Sequence, residues 1–452
     1  MASLKKNLIY QSAYQIIVIL LPLITAPYIS RVLGAEGIGI YSYTFSVANY
    51  FVLFSMLGLN NYGNRQIAIV RDNKTKLNQT FSNIFALHFL ISTLVLVAYI
   101  SYVLIFVQEN KIYAMIAFMY IVAAMFDINW FFFGIENFKI TVTRNIIIKI
   151  LTASCIFYFV KESNDLWLYI AIMGIGTFIS QSLVWIVVKR YVRFVKPAWA
   201  DMKEHMKPLL VLFIPVLAVS LYKIMSKIML GNMTDSIQVG LYENSEKIVN
   251  IPMGLITAVG VVMLPRMSNI SATLDFNRAE SYIMKSMQYV MIAACAWSFG
   301  IGAIAPEFAP IFFGEEFKAS GVLMQGLAIT IPFIAFANVI RTQFLIPNKY
   351  DHIYVKSVVL GAIVNIICNL IFIPKMLAVG AVIGTVLAEI TVCLYQSIAV
   401  RNKIQIYQYL KKSIYFIILG LCMAGIVRII GSTMEASIVS ITIEITLGIL
   451  LF

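Results

Sequence analysis

Charged side chains are scarce in this chain. Asp, Glu, Lys and Arg make up 12% of its 452 residues, about half the share usual in a soluble domain. The polar stretches are all short, which excludes a soluble domain that could carry chemistry. The five cysteines, Cys155, Cys295, Cys368, Cys393 and Cys422, fall in apolar stretches without CxxC spacing. They read as small buried hydrophobes, so neither a disulfide framework nor a thiolate metal site is expected. The three histidines, His88, His205 and His352, are scattered and make no metal cluster. A GxxxxGK loop followed by Ser or Thr is also missing, so any energy source is expected to lie outside the chain.

Apolar length is abundant. Hydrophobic residues are 61% of the chain and the mean hydropathy is +0.88. A helix rises about 1.5 Å per residue and needs roughly 20 apolar residues to cross the hydrocarbon core. Fourteen stretches meet that need, near 8–30, 38–62, 79–107, 112–134, 141–160, 167–188, 208–230, 239–263, 283–304, 322–344, 353–373, 380–400, 413–430 and 437–452. The expected fold is therefore an all-α polytopic membrane protein of about 14 transmembrane helices. The first stretch follows Lys5 and Lys6 but is too long for a cleaved signal and lacks a small-residue cleavage site. The last is short and stops at Phe452, leaving a truncated product and an incomplete final span both open.

Charge placement sets an orientation. With the N-terminus inside, 23 of the 34 Lys and Arg fall in inner segments and six in outer ones: Arg31, Lys111, Lys161, Lys318, Lys375 and Arg428. That asymmetry follows the positive-inside rule and puts both termini in the cytoplasm. It also accounts for the net charge of +13 without a nucleic-acid partner. The expected location is the cell membrane, crossed many times.

The longest inner connection, 189–207, carries six cations and Trp199, as expected of a segment resting on an anionic leaflet. The stretches on either side of it look alike. In the first half, Pro22 and Pro27 precede Leu33-Gly34 and then Ile38-Gly39-Ile40-Tyr41. In the second, Pro215 precedes Leu230-Gly231 and then Val239-Gly240-Leu241-Tyr242. Both copies start inside, which makes them parallel repeats about an axis along the membrane normal. The expected organisation is a lobe of six helices at 1–188, a basic linker at 189–207, a second six-helix lobe at 208–400, and two added helices at 401–452. Prolines within the first span of each lobe would permit bends, as static kinks or as gates.

Several motifs resemble those of a known family. Ser30-Arg31-Val32-Leu33-Gly34 running into Gly37-Ile38-Gly39-Ile40-Tyr41 is similar to the first-loop signature of bacterial polysaccharide repeat-unit flippases. Asn61-Tyr62-Gly63-Asn64-Arg65-Gln66-Ile67-Ala68 and Asn129-Trp130-Phe131-Phe132-Phe133-Gly134-Ile135-Glu136 resemble segments at the ends of its second and fourth spans. Gly240-Leu241-Tyr242-Glu243-Asn244-Ser245-Glu246-Lys247 resembles its eighth span, and Phe313-Gly314-Glu315-Glu316-Phe317 its large outer loop. The matches come in the expected order over the whole chain. The resemblance implies the multidrug/oligosaccharidyl-lipid/polysaccharide exporter superfamily, and within it the O-antigen, capsule or exopolysaccharide flippases.

Ionisable groups in lipid are costly, so they face a partner, a cavity or a function. Ten lie within the expected spans: Lys149, Lys223, Lys227, Lys247, Lys356, Asp127, Glu243, Glu246, Glu389 and Glu444, with charges that sum to zero. Lys356 is near enough to its span end to snorkel. Glu389 is a lone mid-span acid, and Glu444 sits in the short last span. Lys223 and Lys227 are one turn apart, Lys227 and Glu243 reach similar depth on neighbouring helices, and Glu243 and Lys247 form an i,i+4 pair. These groups read either as a structural ion cluster or as lysines left over for an anion. Lys149 lies about 12 Å into its span, within reach of Asp127 or facing a cavity, and Arg144 sits one turn before it at the inner rim.

A polyprenyl-pyrophosphate head carries two to three negative charges, and crossing lipid would cost many kcal/mol unless a wet cavity and cations replace its hydration. Lys149, Lys223, Lys227, Lys247, Arg31 and Arg144 are the candidates for that role, in a cleft between two lobes that rock alternately. Asp127, Glu243 and Glu246 are candidates for ion coupling or salt bridges. Asn49, Asn60, Tyr41 and Tyr43 would line the sugar path, or simply bond neighbouring helices. The expected protein is thus a flippase, not an enzyme. Its partners are the bilayer, a lipid-linked oligosaccharide and, as a candidate, the polysaccharide polymerase machinery. It needs no cofactor, with Na+ or H+ as candidate coupling ions. A cation-coupled multidrug or small-molecule exporter and a peptidoglycan-precursor flippase share the architecture. The exporter should favour acids in its cavity, which the balance here does not. A glycan polymerase would want a larger outer loop than 305–321, and an acyltransferase a better placed histidine than His88.

Overall fold

In hydrocarbon, a backbone satisfies its own N–H and C=O groups only as a helix or a closed barrel. The computed structural model describes residues 2–272 and 276–452, and among these nearly all are helical and none is in a strand. Eleven helical stretches are long and apolar enough to cross a membrane. The expected spans outside that set are the second half of Leu20–Val70, which holds two spans in one stretch, the helix Ser236–Ala272, and the shorter helix Ile438–Leu451.

The chain divides into two compact units, Met1–Ser220 and Leu221–Phe452. The first contains α1 (Ala2–Met56), α2 (Leu59–Val70), α3 (Lys74–Phe106), α4 (Lys111–Ile116), α5 (Phe118–Met125), α6 (Asn129–Gly134), α7 (Phe138–Phe159) and α8 (Leu166–Val188). The division falls inside α9 (Trp199–Met233). The second unit continues with α10 (Ser236–Ala272), α11 (Phe276–Phe313), α12 (Ser320–Ala328), α13 (Thr330–Ile340), α14 (Asp351–Met376), α15 (Ala378–Val400), α16 (Ile406–Gly431) and α17 (Ile438–Leu451).

The first two spans need no loop between them. Helical conformation breaks inside α1 at Gly34 alone, with φ 67° and ψ −179°, a conformation essentially reserved for glycine. The corresponding Leu230-Gly231 instead stays helical, and the turn comes later, at Thr234 and Asp235. Pro22 and Pro27 lie inside α1, and Pro215 inside α9, without ending either helix.

Two spans of the first unit are broken. One breaks between α1 and α2, where Leu57 and Gly58 both have positive φ, 42° and 75°. A Cβ on Gly58 would lie 2.9 Å from the backbone nitrogen of Phe213 in α9. Gly58→Ala therefore meets both a disfavoured backbone region and a wall. We expect a loss of at least ~1–2 kcal/mol, seen as a lower midpoint in detergent-mediated unfolding. Gly425→Ala in α16, where a Cβ meets nothing within 4 Å, is the neutral control. The second break, at residues 126–128, separates α5 from α6.

The two motifs that follow these breaks pack against each other. Gly63 of α2 lies against the indole of Trp130, and Gly134 of α6 against Ile67, each so close that a Cβ would come within 2.6 Å of its neighbour. Trp130, Phe131, Phe132 and Ile67 are wholly buried there. The connection after α8 is tied down as a strap. The backbone N–H groups of Arg193, Val195 and Ala198 donate to Asn78, Ser82 and Asn83 of α3 at 2.9, 3.0 and 3.3 Å. Phe194 packs edge-on against Phe81 and Phe85.

In the second unit, α14 and α15 approach closely through small residues. Gly361 faces Val392, Gly380 the backbone of Phe372, and Gly384 the amide of Asn369, the usual way apolar helices pack in lipid. The short expected span at the chain end is the helix α17, packed on α11 and α16. Its Glu444 is buried against Gly431.

Candidate functional site

Each unit holds a cavity lined in part by polar side chains. The cavity of the first unit, of about 350 Å³, opens where both broken spans meet, and its lining includes Asn49, Asn60, Asn61, Asp127, Thr177 and Gln181. Breaking a helix in a membrane exposes carbonyls that need donors. Three side chains supply them, Trp130 and His88 buried and Trp185 half-buried. Trp185 Nε1 donates to the carbonyl of Phe126 at 2.9 Å, Trp130 Nε1 to that of Asp127 at 3.1 Å, and His88 Nε2 to that of Ala124 at 2.9 Å. His88, isolated in the sequence, thus caps the end of α5. We expect Trp185→Phe to cost about 1–3 kcal/mol through the stranded carbonyl, measured in the same unfolding assay.

The Asp127 carboxylate accepts from the backbone N–H of Asn129 at 2.8 Å and from Gln181 Nε2 at 3.0 Å. Among the described residues it forms no ion pair with Lys149, so of the two readings of Lys149 the pairing is not made. The break in the span turns the carboxylate toward α8 instead, where Gln181 meets it. Arg144 is buried, and its guanidinium donates to Asn129, Asn145 and Gln181 at 3.0, 2.8 and 3.4 Å. Arg144, Asn129, Gln181 and Asp127 form one hydrogen-bonded chain behind the cavity. Lys149 is half-buried on α7 and pairs with no carboxylate among the described residues. Arg31 is exposed on α1 just before the Gly34 kink, and Tyr41 is buried edge-on against Tyr169. Tyr43 is half-buried on the same helix.

In the second unit, Lys227 sits between two carboxylates, at 2.7 Å from Glu243 and 2.8 Å from Glu246, and Lys247 lies 3.5 Å from Glu243. The ion cluster pins α9 to α10. Lys223, one turn earlier, takes no part in it. Lys223 lines a cavity of about 250 Å³ together with Asn250, Asn338, Arg341, Glu246 and Glu389. Glu389 is thus not a lone acid, since it shares this cavity with two cations. Next to the cavity, Ser226, Asn365 and Asn369 form a buried polar cluster between α9 and α14.

Arg341 was missed by the sequence reading, which counted it with the inner-loop charges. It opens a π-helical turn, Arg341–Leu345, that extends α13, and such turns are frequent at functional sites. Its guanidinium donates to Asn338 at 2.6 Å and lies 5.3 Å from the ring centroid of Tyr354, while its Nε is buried without a partner. The signal that could have found it is its place inside the apolar run 322–344. With Glu246 tied to Lys227, the cavity presents two cations against one further carboxylate. Such a site can replace the hydration of an anion.

The family model for polysaccharide biosynthesis proteins matches residues 4–271. The chain belongs to that family. Its relatives in the polysaccharide biosynthesis family include a putative O-antigen transporter of Escherichia coli (strain K12), 24% identical over 408 residues, covering 88% of this chain and 97% of the relative. Among solved structures, a lipid II flippase MurJ in an inward closed conformation superposes with a TM-score of 0.79 at 13% identity, covering 98% of this chain and 96% of the other. A eukaryotic MATE transporter gives a TM-score of 0.55 at 15% identity over 92% and 98% of the two chains. These likenesses establish a polytopic membrane fold of the flippase and multidrug-exporter type. This member of the polysaccharide biosynthesis family therefore carries its two polar cavities within a transporter fold.

Proposed function

We propose that this protein moves a polyprenyl-pyrophosphate-linked oligosaccharide from the inner to the outer leaflet of the cytoplasmic membrane, by alternating access, for cell-surface polysaccharide synthesis. The observation that carries the reading is the cavity of the second unit, which Lys223 and Arg341 line without an ion pair to a carboxylate among the described residues. An anionic head needs such groups, because its desolvation would otherwise cost many kcal/mol. The name of the E. coli relative, an O-antigen transporter, supports a glycan-bearing lipid as the cargo. Sequence and fold both support a transporter rather than an enzyme.

Energy for export would come from the membrane. Each unit of charge crossing 100 mV is worth about 2.3 kcal/mol, and an inside-negative potential drives an anion outward. Asp127, Glu243 and Glu246 are less suited to carry a coupling cation than the sequence implied. Asp127 already accepts two hydrogen bonds, and both glutamates hold Lys227.

The test is reconstitution of the purified protein in liposomes containing a fluorescent polyprenyl-pyrophosphate sugar. Protein-dependent movement between leaflets, lost when the pyrophosphate is replaced by a neutral linkage, is the expected result. Absence of movement under an imposed potential and cation gradients, with the protein shown to be folded, would overturn the reading.

A further inference from the structure

The cavity of the first unit has a chemistry different from that of the second. The one carboxyl group in its lining is that of Asp127, and the nearby cation, Arg144, is spent on Asn129, Asn145 and Gln181. An anionic head would meet a carboxylate there and no available cation. A metal cation would fare little better. The carbonyls bared by the break in the fourth span already accept from Trp185, Trp130 and His88, and each oxygen of Asp127 accepts an N–H. These capping groups also make the break rigid, so the lining is held in place before any ligand arrives.

Uncommitted amides are what remain. Among the described residues, the side chains of Asn49, Asn60 and Asn61 have no hydrogen-bond partner, and all three face the cavity. An amide both donates and accepts, which suits a ligand whose hydroxyls do the same. The rings of Phe45 and Tyr120 line it too, beside aliphatic side chains such as Val52, Leu53 and Met56, and can cover the apolar C–H face of a sugar ring. The volume of about 350 Å³ lies within the range of small-molecule sites. Asn60 and Asn61 sit directly after the Leu57-Gly58 break, and irregular backbone at membrane depth is a mark of binding sites in transporters.

We infer that this cavity is a saccharide subsite, which takes the uncharged, hydroxylated part of the cargo. The inference rests on the flippase reading above and adds to it a site for the sugar. The break in each span supplies the room, the indole and imidazole caps supply the rigidity, and the asparagines supply the recognition.

The experiment uses the full-length protein in liposomes with two probes. One is the lipid-linked oligosaccharide extracted from the source cells, and the other is the same polyprenyl pyrophosphate without sugar. Leaflet position is read by accessibility to a membrane-impermeant reagent. Asn60 and Asn61 are exposed, so N60A/N61A is expected to fold as the parent does. Two lost hydrogen bonds correspond to about a tenfold change, so the ratio of the two rates, sugar-bearing over sugar-free, should fall about tenfold in the double variant. A ratio unchanged by N60A/N61A and by N49A would overturn the subsite, as would an equal loss with both probes. If the parent protein moves neither probe, the flippase reading falls and takes the subsite with it. If the parent moves both while the ratio stays fixed in the variants, only the subsite falls.

Discussion

Replacing Lys223 and Arg341 together by glutamine is expected to slow the movement of a polyprenyl-pyrophosphate lipid by about a hundredfold or more in reconstituted liposomes. A hydrogen bond to a charged group contributes about 1.5–3 kcal/mol, so two of them correspond to two or more orders of magnitude. The protein should remain folded. Lys223 is exposed to its cavity, and a glutamine at 341 can still donate to Asn338. Neither cation is ion-paired within 4 Å among the described residues, but both share the cavity with buried Glu389, so the unfolding midpoint of the double variant is compared with the parent's before the rates are. Each single variant should slow movement about tenfold to a hundredfold, with Lys223→Arg retaining most of the parent rate. Unchanged transport in the double variant would rule out this cavity as the site of the anionic head.

Replacing Lys227 by methionine should do something different, lowering stability by about 3–5 kcal/mol. Lys227 is the one ammonium between Glu243 and Glu246, and all three side chains are at least three-quarters buried. The deletion leaves two carboxylates without the ammonium that bridged them, with Lys247 3.5 Å from Glu243 as a partial offset. Recovery of most of the stability in K227M/E246Q is expected, because the remaining Glu243–Lys247 pair is neutral. Unfolding in mixed detergent micelles measures both. An unshifted midpoint for Lys227→Met would mean that the cluster does not hold α9 against α10.

The Lys227–Glu243 pairing was legible because both residues could be counted from recognisable landmarks, Gly231 and Gly240, on neighbouring helices. Asp127 was misjudged for the opposite reason. Depth along an unbroken span would bring it near Lys149, but the span breaks at that point and redirects the carboxylate toward Gln181. Gly58 marks one break, inside a stretch that hydropathy reads as one continuous span. The other carries no glycine or proline, only carbonyls capped by side chains that lie far along the chain, such as Trp185 on Phe126. Arg341 was hidden by its position at a span end, where hydropathy cannot separate a rim charge from one held inside by Asn338 and Tyr354.

Hydropathy alone determined that this chain is a bundle of membrane helices, since lipid leaves the backbone no other open form. The order of the motifs pointed to the family. Tertiary structure decided which charges are spent and which are available: Lys227 and Lys247 on carboxylates, Arg144 on amides, Lys223 and Arg341 on a cavity. The reason is one of range. Partition into lipid depends on composition over some twenty residues, whereas an ion pair or hydrogen bond is made or lost within an ångström between groups that the sequence holds far apart.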